Sequence, residues 1–259
     1  MFAALAGKLN TPFFDPFQEI KRLESGIYTT ASRLSNRLRQ YFSNVQSGNT
    51  YVPPAVTYLG TAAFNTSAGA PSVSATFTQS AGSNRVAVVV VSCAASATIS
   101  SVTYAGASMT VVWDTANAGE RLAMYYILEA SLGADGSKTV TANFSASVRS
   151  GIHVFTIAGA SQGAPEASDK TNSVSATTLS VPLTCSAGAM CVTGVNCADT
   201  TATISHGSGQ TEILETISTS HAVFASSYES VSSGSNTQSS TQNKAATRMC
   251  FVAASFAPA

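Results

Sequence analysis

The chain has 259 residues, enough for one large domain or two small ones, and its 13 Lys+Arg balance its 13 Asp+Glu. Charged residues make up 10% of it and hydrophobic residues 44%, against roughly 25% charge in an average globular domain. A chain with no net field offers nothing to steer nucleic acid or an anionic lipid surface, and this apolar content excludes wholesale disorder.

The charge is unevenly placed. Residues 1–50 carry six bases and three acids, a net +3, and residues 51–259 carry seven bases and ten acids, a net −3. A boundary is therefore expected near Ser47-Gly48-Asn49, with an arm over 1–50 and a body over 51–259. The opening MFAALAGKLNTPFF lacks a basic segment followed by an apolar stretch, so no secretory signal is expected. The longest apolar run, Val86 to Val91, is far shorter than the ~20 residues of a membrane-spanning helix.

The arm reads as helix. Asp15 suits an N-cap, Pro16 the first helical position, and Gln18 stands three after the cap. Ile20, Leu23, Ile27, Ala31, Leu34, Leu38, Phe42 and Val45 then recur at steps of three and four, one continuous stripe. Ahead of it, Phe13, Phe14 and Phe17 surround two prolines, as aromatic anchors or as a hydrophobic staple. A stripe this long must bury itself, on its own body or on a partner. Phe13, Phe14, Phe17, Ile20, Leu23, Ile27, Leu34 and Leu38 are therefore the expected partner-binding residues.

From Tyr51 the texture becomes short alternating runs separated by turn residues. Strands are expected near 56–64, 73–78, 85–93, 99–104, 109–114, 122–128, 138–144, 151–157, 178–182, 189–197, 210–218, 224–231 and 248–256. Asp135-Gly136 is the best hairpin signal. The run from Arg85 to Ala95 is apolar on both faces and should lie centrally. Residues 216–243, where 14 of 28 are Ser or Thr, read as a polar edge hairpin or a surface loop. The expected fold is all-β, a two-sheet antiparallel β-sandwich, jelly-roll-like, preceded by an N-terminal α-helical arm.

Chemistry-bearing patterns are sparse. Gly159-Ala160-Ser161-Gln162-Gly163 matches the G-x-S-x-G nucleophile elbow, and Asp169, Asp199, His206 and His221 follow in Ser-Asp-His order. The elbow needs a helix behind the serine, and Ala164 to Asp169 carries no helical stripe. Glu212 and Glu215 would point to opposite faces of a strand, which is not the arrangement of a glycosidase pair. His153, His206 and His221 are far apart in sequence. Cys185, Cys191 and Cys197 are spaced by six, not by the two to four residues of a zinc site, so the five cysteines read as buried free thiols. Trp113, Tyr125 and Tyr126 lie in apolar runs and read as core. No enzyme, cofactor, metal, specific nucleic acid or membrane is expected.

Gly82-Ser-Asn-Arg85 leads into Val86–Ser92, followed by Ile99–Thr110, Met124–Leu128, Thr139–Phe144, Val154–Gly159, Gly207–Thr211 and the closing Phe251–Ala259. This succession resembles a β-sandwich module recurrent in bacterial surface proteins and in structural proteins of tailed phages. The likeness covers about four-fifths of the chain and rests on strand and turn patterns; virion jelly rolls share them, and the N-terminal arm departs from them. It implies a structural or binding role and supplies no catalytic residue. The expected function is a non-enzymatic virion structural protein of a bacteriophage, capsid-associated as a decoration, head-fibre or vertex protein. Made in the host cytoplasm, it would use its arm to join copies of itself (a homo-oligomer) and other virion proteins. The alternatives are a tail-associated module binding a receptor or host surface glycan, and a capsid shell protein.

Overall fold

In a computed structural model of the protein, residues 38–39, 54–218, 222–244 and 248–259 are described. The chain divides into two compact units, Met1–Val52 and Pro53–Ala259. Of the arm residues, Phe13, Phe14, Phe17, Ile20, Leu23, Ile27 and Leu34 lie outside the described residues, while Leu38 is helical beside Arg39.

The second unit is almost entirely β. Its first part contains β1 (Thr57–Gln79), β2 (Val86–Ala94), β3 (Ile99–Tyr104), β4 (Ala107–Ser108), β5 (Thr110–Ala116), β6 (Glu120–Leu128), the single helical turn α1 (Glu129–Leu132) and β7 (Gly136–Ala158). The second part contains β8 (Ala167–Ser173), β9 (Thr178–Cys185), β10 (Met190–Cys197), β11 (Ile204–His206), β12 (Thr211–Ser218), β13 (Ala222–Ser230), β14 (Gly234–Gln242) and β15 (Met249–Phe256). Every pairing is antiparallel. The strands are shared among three sheets rather than two: β4-β3-β7-β2-β6-β5 with β1 along β7, then β12-β13-β10-β15-β8, then β11-β14-β9.

The first sheet is rolled on itself. Two pairs of expected strands prove continuous, 56–64 with 73–78 in β1 and 138–144 with 151–157 in β7. The two long strands pair along their length, with register shifts between Ser67 and Ser72 where the ribbon bends. Bending brings β3 and the adjoining part of β7 over β2 and β6. Val102, Tyr104, Val140 and Ala142 then share a core with Val89, Val91, Ala123 and Tyr125.

Strand parity sorts the remaining apolar residues into two further cores. Even-numbered Val86, Val88 and Val90 of β2, with Leu122 and Met124 of β6, leave the rolled sheet on its other side. There they meet Met190 and Val192 of β10 and Cys250, Val252 and Ala254 of β15. Odd-numbered Cys191 and Val195 of β10 and Phe251 and Ala253 of β15 point away and pack on Leu179, Val181 and Leu183 of β9. The body is thus four β layers enclosing three cores. The expectation for residues 85–95 holds: Val86 to Cys93 are buried throughout because both faces are covered.

Two local expectations are corrected. Asp135-Gly136 does not turn a hairpin, since β2 lies between β6 and β7. Asp135 instead pairs with the buried Arg85 guanidinium, which also forms an ion pair with the Glu129 carboxylate of α1 at 3.5 Å. The described part of residues 216–243 is an edge hairpin only in part: the end of β12 is the edge of its sheet and pairs with β13. β13 lies between β12 and β10, and β14 is the middle strand of its sheet. Some of its hydroxyls are buried with partners; the Thr193 and Ser227 hydroxyls, for example, lie 2.6 Å apart.

The middle core permits no side chain at Gly194 of β10. A Cβ there would stand 2.5 Å from Cγ1 of Val90, so Gly194→Ala forces the two sheets apart. Overpacking of this kind costs about 1–3 kcal/mol, seen as a lower urea midpoint. Because Val90 is the obstacle, adding Val90→Ala should recover part of that loss, leaving the double variant more stable than the summed single effects predict. Additive losses would show that the sheets do not meet at this pair.

Candidate functional site

Residues singled out by their chemistry turn out to hold elements together. Ser161 lies in the link between the rolled sheet and β8, its N–H donating to Ala257 O at 2.8 Å. The next element is strand β8, not the helix that a nucleophile elbow needs. Gln162 clamps the link, donating to the Arg85 and Ala160 carbonyls and accepting from Glu129 N–H.

The two described histidines, His153 and His206, have different surroundings. His153 is wholly buried between the rolled sheet and the five-stranded sheet, 3.1 Å from the Ser226 hydroxyl and 2.8 Å from that of Thr216, and stacked on Phe224. His206 has Nδ1 3.1 Å from Ser240 Oγ and Nε2 4.0 Å from Glu212. His206 thus ties β11 to the buried Ser240 of β14 alone, since the Glu212 contact is too long for a hydrogen bond and Nε2 is buried without a partner. His221 lies outside the described residues.

The carboxylates correct one expectation. A bulge between Glu212 and Leu214 shifts the register of β12, so that Glu212 faces Ser227 and Glu215 faces Ala225. Those partners are two apart, which places both glutamates on one face rather than on opposite faces. Their proximity, after burial, holds the Glu212 carboxyl above its ordinary value. Glu215 is spent on the Ile204 N–H at 2.7 Å.

All five cysteines are free and buried, and burial pushes the Cys93 and Cys250 thiols up to about 12. Among the described residues no group of three or more His, Cys, Asp or Glu could hold a metal ion. Tyr125 and Tyr126 are buried. Trp113 lies at the margin of the middle core, with Lys170 Nζ 4.6 Å above its ring.

What the body offers to its surroundings lies on its two outermost layers. On the β11-β14-β9 sheet, outward positions are Thr178, Ser180, Pro182 and Thr184 of β9, paired in register with Thr241, Ser239, Thr237 and Ser235 of β14. On the opposite side, Ser72, Ser74, Thr76 and Thr78 of β1 face Asn143, Thr141, Thr139 and Ser137 of β7. Neighbouring side chains bond across strands: Ser74 to Thr141 at 2.8 Å and Thr178 to Thr241 at 2.9 Å. Neither array contains a charge. Alternation alone marks these residues as outward-facing, but the matched rows depend on pairing between distant strands.

One concavity opens on the first core. A groove of about 410 Å³ lies where β3 and β4 come near β5, with Tyr125 on its lining. Burial pushes the Tyr125 phenol up to about 12, with Asp114 adding to the effect. None of its polar residues was marked by a sequence motif, since they come from strands joined only by the rolling of the sheet.

Burial holds the His153 imidazole well below its ordinary 6.5 and lowers that of His206 to about 4. Unfolding lets both rings protonate near pH 6.5, so their contribution to stability is complete above that pH and is lost as the pH falls below it. The slope is up to about 1.4 kcal/mol per pH unit for each ring. The urea midpoint should be level between pH 7 and 8 and should fall from pH 6 to 5, while the His153 ring signals stay those of neutral imidazole. A midpoint unchanged down to pH 5 would contradict these environments. Compared with known proteins, the chain matches no family model, no curated protein and no solved structure.

Proposed function

We propose that the protein is a non-enzymatic structural component of a bacteriophage particle, capsid-associated as a decoration, head-fibre or vertex protein. The body, a jelly-roll-like sandwich module enlarged by a third sheet, is the displayed part. The arm around Leu23 and Leu34 joins it to its own copies and to other virion proteins in the host cytoplasm.

The observation that carries this reading is the pair of uncharged hydroxyl faces on the outermost layers. Short hydroxylated side chains keep a surface hydrated without a field that would draw charged partners. They also spread little apolar area, so bodies crowded on a particle do not adhere through them. Attachment then falls to a separate apolar segment, which the stripe on the arm supplies. The rigid triple core and the use of Arg85, Asp135, Glu166 and Glu215 as structural ties also support a scaffold role. Glu166, for instance, accepts from the Ser186 backbone N–H and from the Ser186 and Ser255 hydroxyls, fastening three segments.

Light scattering on the full chain tests the proposal. A defined oligomer is expected, reduced to monomer by Leu23→Asp combined with Leu34→Asp, with the thermal transition of the body unchanged. A monomeric wild type, or an oligomer indifferent to the two charges, would overturn it.

A further inference from the structure

Two of the five buried thiols face each other. Cys185 is the last residue of β9 and Cys191 the second of β10, so they belong to different sheets that share the third core. Between the two strands runs a turn, Ser186 to Ala189, closed by the Ala189 N–H donating to Ser186 O at 3.2 Å. Across that turn the two Sγ atoms are 3.5 Å apart, and the Cys185 thiol donates to Leu183 O at 3.7 Å. A disulfide holds its sulfurs about 2.05 Å apart, so each has about 0.7 Å to travel.

The other three thiols are placed elsewhere. Cys93 belongs to the first core and Cys250 to the middle core. Cys197 shares the third core, but six residues of β10 put it about 20 Å from Cys191. The facing pair is also unequal. Cys191 is wholly enclosed, whereas Cys185 is 5% exposed and is followed by exposed Ser186 and Ala187 at the rim of its sheet. A small oxidant arriving from solvent meets Cys185 first. Burial and the adjacent Cys185 hold the Cys191 thiol above its ordinary value, which makes the pair slow to react.

The turn that separates them is a junction. Gly188 O accepts from the Val56 N–H at 2.8 Å, in the segment leading into β1, and the Gly188 N–H donates to Val231 O at 3.1 Å, just after β13. Ser186 donates through its N–H and its hydroxyl to Glu166, just ahead of β8. A covalent link from Cys185 to Cys191 closes this junction at its base.

We propose that Cys185 and Cys191 form an oxidation site for hydrogen peroxide, closing to a disulfide that locks the turn between β9 and β10. The Cys185 thiolate attacks one peroxide oxygen; the O–O bond breaks, the departing hydroxide takes up a proton to become water, and Cys185 is left as a sulfenic acid. Cys191 gives up its proton and attacks the Cys185 sulfur. An S–S bond forms, the S–O bond breaks and a second water leaves. Two thiols are thereby oxidised to one disulfide while one peroxide is reduced to two waters. In a reducing compartment the pair stays a dithiol, and it closes once the protein meets an oxidising medium. This goes beyond the assembly role and does not rest on it.

The test exposes the folded, reduced full chain to millimolar hydrogen peroxide for hours. Catalase then removes the oxidant, urea unfolds the protein, and N-ethylmaleimide labels every remaining thiol. Three labelled cysteines are expected in place of the five of the untreated protein, with peptide mapping placing the bond between Cys185 and Cys191. The thermal transition should rise by several degrees and return to its starting point with dithiothreitol. Cys191→Ser should form no bond and should leave Cys185 as a sulfenic acid that dimedone traps. The mapping is done on the wild type, so the result stands however well the variant folds. Five labelled cysteines after peroxide, a bond between any other pair, or a thermal transition that does not rise when the bond forms would overturn the proposal.

Discussion

The whole body depends on the close approach of two sheets that are each covered on both sides. The rolled sheet and the five-stranded sheet meet over Val90 and Gly194, where the space left by an absent side chain is filled by a valine methyl. Face-to-face sheets pack roughly 10 Å apart, and a middle layer can hold that spacing only if its side chains interlock. Phe224 occupies the space that a Cβ on Gly151 would take, a second instance in the same layer. Several polar groups trapped there are paired. Asn196 donates to Ser92 Oγ at 2.9 Å and to Arg121 O at 3.1 Å, and accepts from Cys250 N–H. His153 fills the same role between Ser226 and Thr216.

This architecture accounts for the scarcity of charge. With four layers, the inner strands have no face turned to water, so β2, β10 and β15 carry no ionisable group other than thiols. Much of the remaining charge is drawn to the ends of the layers and to edges, where it stitches parts together. Lys170 of β8 reaches the Asp114 carbonyl at 3.2 Å, and Asn117 donates to the Ser173 and Met249 carbonyls across the same margin. The outermost sheets meet solvent with hydroxyls. Composition, layer count and surface character are therefore one property.

Much of this was legible in the sequence where a strand's two faces differ or where both are apolar. Residues 85–95 announced a doubly covered strand, and the strand expected over 178–182 is the first part of β9. What stayed hidden depends on distant pairing. β8, ASDKTNS, and β14, GSNTQSSTQ, have none of the β-branched apolar residues that mark a strand except threonine; β15 and β9 hold them in place by ladder hydrogen bonds. The continuity of β1 and β7 was masked by small residues that allow a bend and so resemble loops. The bulge in β12 reversed the relation of Glu212 and Glu215, because one inserted residue flips every side chain beyond it. The groove could not be foreseen at all: Ser100 and Asp114 become opposite walls only after the sheet has curled.

The middle core is assembled from both halves of the chain, and this bears on how the protein is made. Synthesis proceeds from the N-terminus, so β1 to β7 can pair before β10 and β15 exist. At that stage Val86, Val88, Val90, Leu122, Met124, Phe155 and Ile157 form an unroofed apolar wall on the rolled sheet. The nascent half-protein is thus adhesive on the side that later becomes its innermost layer, and β15, which follows β10 in the chain, completes the roof. Without β15 that wall would be covered in part, by Met190 and Val192 of β10, and would lack Cys250, Val252 and Ala254, so its adhesive face closes only when both strands are in place.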